Sequence, residues 1–500
     1  MHPQLRDLLI APQAESEGYL YTANNPFGLS AWSLDPVRPI STDDIEQKLA
    51  ERAVIHTRLR FVPVNLTSGC GLIAAGSQEG AIAVKSLSPK TQWSVQTRGL
   101  DQNGAISNST HLSPSPTNSQ VPRLLVSSND MTVKVYEIYF PGSYRSDPVA
   151  STMPIVQPYG DTEDVEIEPE RTEANLDSRP VLRKLKHTNL KFKTPINHCS
   201  VSPDGKRLVV VGDTNMIYLY NVKANGEYEQ TAIFAAEESS FSEGAFSTDW
   251  SRNSQIFAVG SQDARVHVYD VRNLPSPGGS PIPKQLLSIK TSQKLYRGAA
   301  RKVKFSSEGP NTELLAFNEH RKHVNILDAR TFSSIQTLSI PSVDTNLSGA
   351  VSQHSPSPTI QWRILSDDSE ETDHMNGSTR PLLNDIRRLR ALEQRPDYAQ
   401  SSARLRTILN TRPRVIPNRS SSTFISHTLS GHVPLDHEYA HTSSYLNESP
   451  YFPPQSYQDD LLGLDWDSRG ERLFVGTQDC ILEWKVDGRA RRCAHSRSPV

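Results

Sequence analysis

Ile256-Phe-Ala-Val-Gly-Ser-Gln-Asp263 followed by Arg265-Val-His-Val-Tyr-Asp270 is the stretch that decides how this chain folds. Apolar residues alternate with others on both sides of a small turn, the period of a half-buried strand. Gly260 and Ser261 allow a tight bend, and Asp263 is placed to cap turn amides with its carboxylate. The pattern returns as Leu124-Leu-Val-Ser-Ser-Asn-Asp130 with Thr132-Val-Lys-Val-Tyr136. It returns again as Leu473-Phe-Val-Gly-Thr-Gln-Asp479 with Ile481-Leu-Glu-Trp484. Self-similarity on this scale marks a repeat architecture and outranks any single motif.

Strand pairs of this kind can be placed seven times between residues 19 and 487. The fourth copy is the fullest: Ile196–Val201, a turn over Ser202-Pro-Asp204-Gly205, Leu208–Val211, a second turn, and Ile217–Tyr220. Pro203 presets one φ and Gly205 permits a positive one, which closes the first hairpin around Asp204. Glu79 and Asn215 hold the turn-acid slot in the second and fourth copies, and Arg321 holds it in the sixth. Arg60–Val64 reads as the strand leading into the second copy. Copies of one supersecondary unit bury their faces against each other, and a ring of them removes exposed sheet edges.

These hairpins resemble the WD40 family. Its Ser-Pro-Asp-Gly turn, Gly-Ser-x-Asp turn and strand ending Trp-Asp are met by Ser202–Gly205, Gly260–Asp263 and Tyr269-Asp270, with Trp484 closing the last copy. The family's Gly-His dipeptide occurs once, at Gly431-His432, so its polar network is mostly missing and apolar packing must carry the blades. The sixth copy, Glu313 to Arg330, resembles the signature of a fungal WD40 family carrying a short domain of unknown function, around residues 299–340. The resemblance implies an all-β, seven-bladed propeller with two long, largely disordered insertions.

The expected organisation is an N-terminal segment, 1–18; blades one to three, 19–140; an acidic insertion, 141–190; blades four to six, 191–340; a Ser/Pro/Arg-rich insertion, 341–457; the last blade, 458–487; and a basic tail, 488–500. The last blade has no outer strand of its own in this reading, and Leu8-Leu-Ile10 is the expected donor of one. Net charge is −2, which gives no overall bias toward nucleic acid or membrane. The N-terminus does not read as a signal peptide, and no run of about 18 apolar residues exists to span a bilayer. Cys70, Cys199 and Cys480 read as small core residues in a reducing compartment, which implies a cytoplasmic or nuclear location.

The insertions carry the irregular chemistry. Residues 161–170 are an acidic run, read as a solvated loop. Between 380 and 419 ten arginines face three acids, and Leu382, Ile386 and Leu389 fall at helical spacing. Arg387, Arg388 and Arg390 on this segment suit a strut packed on the propeller side, a protein docking element, or RNA phosphates; interleaved aromatics, which favour single-stranded RNA, are missing. Ser366 and Ser369 lie among acids and resemble sites for acid-directed kinases.

His437-Glu-Tyr-Ala-His441 matches HExxH, which on a helix sets two imidazoles around zinc. Its flanks are not helical in character and no third ligand can be named, so zinc hydrolysis through His437 and His441 is the least favoured reading. No phosphate loop, nucleophile elbow or Cys/His pairing is present, and neither an enzyme nor a cofactor is expected. The expected role is binding: a scaffold or recognition subunit. Turn residues Asp130, Asp213, Asp263, Glu319 and Asp479 form a possible acidic rim, with Glu319, His320 and Arg321 of the divergent sixth copy as candidate contacts. The family resemblance implies a substrate receptor of a ubiquitin ligase reading a short degron, with an acidic pocket suited to a free amine. The competing reading is RNA or ribosome assembly through the arginine-rich insertion.

Overall fold

Seven antiparallel sheets account for the strands of the computed structural model and stand as the blades of a β-propeller. The structure describes residues 7–12, 19–25, 28–33, 53–87, 94–96, 105–140, 181–185, 189–236, 244–272, 274, 282–293, 298–307, 313–332, 334–340, 359–364, 414–417, 461–477 and 480–486. Each repeat forms its blade from the channel outward. The fifth blade shows the plan, with Ala245–Trp250 innermost, then Ile256–Ser261, Arg265–Asp270 and Lys284–Lys290.

Alternation sends successive side chains of a strand to opposite neighbours. Phe257 and Val259 pack toward the fourth blade with Val209, Leu219 and Trp250, whereas Ala258 packs toward the sixth with Phe305 and Phe317. The same division gives one apolar cluster per blade interface around the ring. The closing cluster joins Leu9, Ala11 and Leu20 to Phe474 and Ile481. At roughly 1.5–3 kcal/mol per fully buried large apolar side chain, these seams hold the ring together.

Three expectations about the edges change. Leu9–Ile10 does not cover the last blade: it pairs with Tyr19–Asn25 as the innermost strand of the first blade. The reason is apolar demand, since Leu9 and Ile10 are 1% and 5% exposed, which no outer edge offers. The outer strand of the last blade is instead Arg414–Pro417, paired with Cys480–Lys485. The 341–457 insertion also adds Thr359–Ile364 as a fifth strand on the sixth blade, and the 141–190 insertion supplies Val181–Lys184 as the outer strand of the third. Both insertions therefore build blades, because an uncovered strand edge leaves its amides unpaired.

Two smaller corrections concern the second blade. Its innermost strand is Pro63–Gly69 rather than Arg60–Val64. Cys70 is exposed, not a core residue: it sits between Gly69 and Gly71 with φ of +53° at the hairpin tip. Cys199 is buried as expected, and burial pushes its thiol up to about 12.

Candidate functional site: the central channel

The innermost strands wall the channel, and their channel-facing edges present amides that have no strand partner. Polar side chains from the preceding blade accept those amides. His111 Nε2 accepts from Val201 N–H at 3.1 Å, Asp249 Oδ2 from Phe305 N–H at 2.8 Å, and Asp465 Oδ2 from Ala11 N–H at 2.9 Å. These three residues occupy one register position, opposite Leu125, Ala258 and Phe474 of their own blades. Two residues earlier, Ser247 Oγ accepts from Val303 N–H at 3.3 Å and His198 Nδ1 from Thr248 N–H at 3.4 Å. A buried amide left unmet costs about as much as a lost hydrogen bond, so the channel wall must be polar.

At the start of the strands, asparagines join blade to blade. Asn65, Asn108 and Asn197 donate through Nδ2 to the carbonyls of Ser107, Ile196 and Ala245 at 2.5, 2.8 and 3.1 Å. Two indoles do the same at the other end: Trp250 Nε1 donates to Ser200 O at 3.1 Å and Trp466 Nε1 to Lys304 O at 3.2 Å.

The charges inside the channel compensate one another. Lys302 pairs with Asp7, and Lys304 Nζ lies 4.0 Å from Asp465 Oδ1. Asp249, then Asp465 and Asp7, hold the Lys304 ammonium well above its ordinary range against the opposing effect of burial. Burial, reinforced by Lys304 and Lys302, pushes His111 down to about 3, and burial with Lys302 lowers His198 well below the ordinary imidazole range. Both imidazoles are therefore neutral acceptors at neutral pH. Burial raises Asp465, with Lys304 and the Ala11 amide opposing.

The channel is asymmetric. Toward the first hairpin turn of each blade it widens into a cavity of about 550 Å³, reached by Cys70, Pro203, Arg252 and Ser307, with His111, Asp249, Lys304 and Asp465 in its wall. At the opposite end it narrows to a pocket of about 20 Å³ beside Asn108, Asn197 and Arg301, whose guanidinium lies 4.2 Å from the Phe246 ring centroid.

The second-turn residues singled out from sequence stand at the narrow end, away from the wide mouth. Ala245 pairs with Ser261, which places the Asp263 turn at the beginning of the inner strand. The expected acidic rim is therefore not the wall of the wide cavity, whose carboxylates are Asp7, Asp249 and Asp465. Nor do the turn acids chiefly cap amides. Asp130 accepts from Thr132 Oγ1 at 2.6 Å and pairs with Lys134 at 2.7 Å. Asp263 is 4% exposed in its side chain, with His267 Nε2 4.0 Å away. The turn amides go to serines instead: Ser77 Oγ accepts from Glu79 and Ala81 N–H at 3.1 and 2.8 Å. Asp204 does cap, accepting from Lys206 N–H at 3.1 Å. Asp213 accepts from Asn197 Nδ2 at 2.8 Å.

Tyr269 stacks on Phe257 with centroids 5.1 Å apart, and Asp270 is fully buried beneath Arg272, whose Nη2 donates at 2.6 Å. Trp484 is buried in the seam between the sixth and last blades. Asp479, Ser366, Ser369, Arg387, Arg388, Arg390, His437 and His441 lie outside the described residues.

The sixth blade departs from the fifth at two turn residues. Its register sets Glu319 where the fifth blade has Ser261 and Arg321 where it has Asp263. Glu319 is 0% exposed, so it is not a surface contact as expected from sequence. Its Oε1 accepts from Ser292 N–H at 2.7 Å and Asn325 Nδ2 at 2.8 Å, and its Oε2 from Ser292 Oγ at 3.0 Å and Gln293 N–H at 3.1 Å. Burial pushes its carboxyl up, but His323, Ser292 and Asn325 together hold it below the ordinary range. His320 and Arg321 remain partly exposed on that turn. Among the described residues no group of three or more His, Cys, Asp or Glu is placed to hold a metal ion.

Residues 298–339, which form most of the sixth blade, match the model of an uncharacterised protein domain, DUF2415. An uncharacterised protein of Schizosaccharomyces pombe, C4G3.03, is 26% identical over 351 residues, covering 70% of this chain and 79% of its own length. An uncharacterised protein of Saccharomyces cerevisiae, YLR149C, is 25% identical over 197 residues, 34% of this chain and 26% of its own length. A crystal structure of a protein from Lactobacillus plantarum matches with a TM-score of 0.38 at 12% identity, covering 66% of this chain and 79% of that one. The chain thus carries the DUF2415 signature on a WD40-like propeller, with fungal relatives.

Proposed function

We propose that this protein is a non-enzymatic recognition subunit that takes a short protein segment, presented end-on, into the wide mouth of its channel. The observation that carries this is the cavity of about 550 Å³ walled by the inner strands, which side-chain hydrogen bonds such as His111–Val201, Asp249–Phe305 and Asp465–Ala11 tie blade to blade. A preformed concave site with a few convergent polar groups is the usual form of a binding pocket. Propellers serve protein interaction, and this fold suits a scaffold.

The sharper form of the proposal is a substrate receptor of a multi-subunit ubiquitin ligase, the role implied by the sequence resemblance. The cavity carries both signs of charge, Asp7, Asp249 and Asp465 with Lys302, Lys304 and Arg252, which suits the polar backbone of an entering segment. Affinity purification of the full chain followed by mass spectrometry tests it, with Ser113→Trp as a control that narrows the mouth. Ligase subunits retained by both proteins, and one or more proteins lost only from the variant, support the receptor. Preribosomal proteins or rRNA retained equally by both would favour the arginine-rich insertion and an RNA-associated role instead.

A further inference from the structure

Three buried polar atoms at the narrow end of the channel make no hydrogen bond among the described residues: Asp7 Oδ1, Asn108 Oδ1 and Ser109 Oγ. All three residues line the same pocket of about 20 Å³. Asn108 and Ser109 are 3% and 5% exposed, so bulk water does not reach them. The neighbouring bonds fix what each atom needs. Asn108 spends Nδ2 on Ile196 O at 2.8 Å and Asn129 Oδ1 at 3.0 Å, which leaves its Oδ1 as an acceptor. Lys302 occupies the other oxygen of Asp7, so Asp7 Oδ1 is a second acceptor. The Ser109 hydroxyl can donate.

Two acceptors and one donor are the complement of a single water molecule, which donates twice and accepts once. The volume agrees, since one water needs roughly 10–15 Å³ of this kind of space and about three polar partners. The charges exclude a cation in the same place: Lys302 and Arg301 also line the pocket, against the one carboxylate of Asp7. We propose that this pocket is a structural water site that completes the hydrogen bonding of Asp7, Asn108 and Ser109. The water stands beside the Arg301–Phe246 stack and the Lys302–Asp7 pair at the narrow end of the channel.

Water oxygen-17 relaxation dispersion on the full chain counts long-lived internal waters and tests this directly. Ser109→Val puts a methyl group into the pocket, and Ser109→Ala keeps the room and two partners. The expected result is one long-lived water fewer in Ser109→Val, with Ser109→Ala unchanged. Equal counts in wild type and a folded Ser109→Val would overturn the proposal, as would stoichiometric metal in the dialysed wild-type protein. Should Ser109→Val not fold, a crystal structure of the wild-type chain decides the matter. Density for one oxygen within reach of all three atoms sustains the site; Lys302 Nζ in direct contact with them, or no density, removes it.

Discussion

Asp465 Oδ2 accepts the backbone amide of Ala11 at 2.9 Å across 454 positions of sequence. This bond joins the innermost strand of the last blade to that of the first, and beside it Leu8 N–H donates to Leu462 O at 2.8 Å. Ring closure therefore happens at the channel wall. Leu9 seals it, 1% exposed, and a side chain at Gly463 would meet Leu9 Cβ at 2.8 Å.

Leu9→Ala is accordingly expected to lower stability by about 2–5 kcal/mol, the range for a buried leucine truncated in a core that cannot collapse. Asp465→Ala leaves the Ala11 amide unmet and is expected to cost about 1–3 kcal/mol. Asp465→Asn should cost less than Asp465→Ala, because it keeps an acceptor and removes a carboxylate whose ionisation burial opposes. Denaturant unfolding of the three variants checks the order.

The channel imidazoles predict an acid-side loss of stability. His111 is lowered to about 3 in the folded protein, against about 6.5 unfolded, with Lys302 and Lys304 facing it and Asp249 and Asp465 in the same wall. The unfolded chain therefore binds more protons as pH falls through 6.5, and stability falls with it. The loss reaches up to about 1.4 kcal/mol per pH unit for one histidine once pH is well below its unfolded pKa. His198 acts in the same direction. Melting temperatures measured from about pH 6.5 to 5, above the range of most carboxylates, should fall for wild type and fall less for His111→Gln, which keeps an acceptor for Val201.

Arg123 and Glu137 form a buried clamp between the third and fourth blades. Arg123 donates to Glu137 Oε1 through Nε and Nη2 at 3.2 and 3.0 Å, and through Nη1 to Gly226 O of the fourth blade at 2.8 Å. Burial opposes the Glu137 charge, but Tyr139, Arg123 and Ser115 hold its carboxyl below the ordinary range. Removing one partner strands the other, so Arg123→Ala should cost about 3–5 kcal/mol. Arg123→Met with Glu137→Leu should cost less than the sum of the single changes in a double-mutant cycle.

Glu319 anchors the chain at Ser292 and Gln293 against the sixth blade. Glu319→Ser restores the residue type found at Ser77, Ser128 and Ser261 of other blades, yet it is expected to destabilise, because the amides of residues 292 and 293 lose their acceptor. Faster hydrogen exchange at those two amides, with the inner strand Ala300–Phe305 still protected, is the expected signature. The stabilising contribution of the carboxylate is present above its unfolded pKa and is lost as pH falls through the lowered folded value.

Much of this was legible in the chain itself. The alternation in Ile256–Asp270 and the Ser-Pro-Asp-Gly turn at 202–205 encode hairpins locally, because strand period, positive φ and turn capping each depend on a few adjacent residues. Seven such hairpins imply the propeller, and the sixth stands apart through Arg321. The channel was not legible. His111, Asp249, Lys304 and Asp465 share no motif, and their signal is only a polar residue at one register position of their inner strands.

Tertiary structure alone decided what depends on distant partners. Leu9–Ile10 is an inner strand because the ring offers a fully buried slot beside Gly463; the outer strands Val181–Lys184 and Arg414–Pro417 come from insertions because strand edges there needed covering. Glu319, polar and on a turn in sequence, became an interior anchor once the chain at 292–293 folded over it. Hairpins are written in neighbouring residues, whereas closure and the channel are set by unmet amides and apolar surface that meet only when the ring is complete.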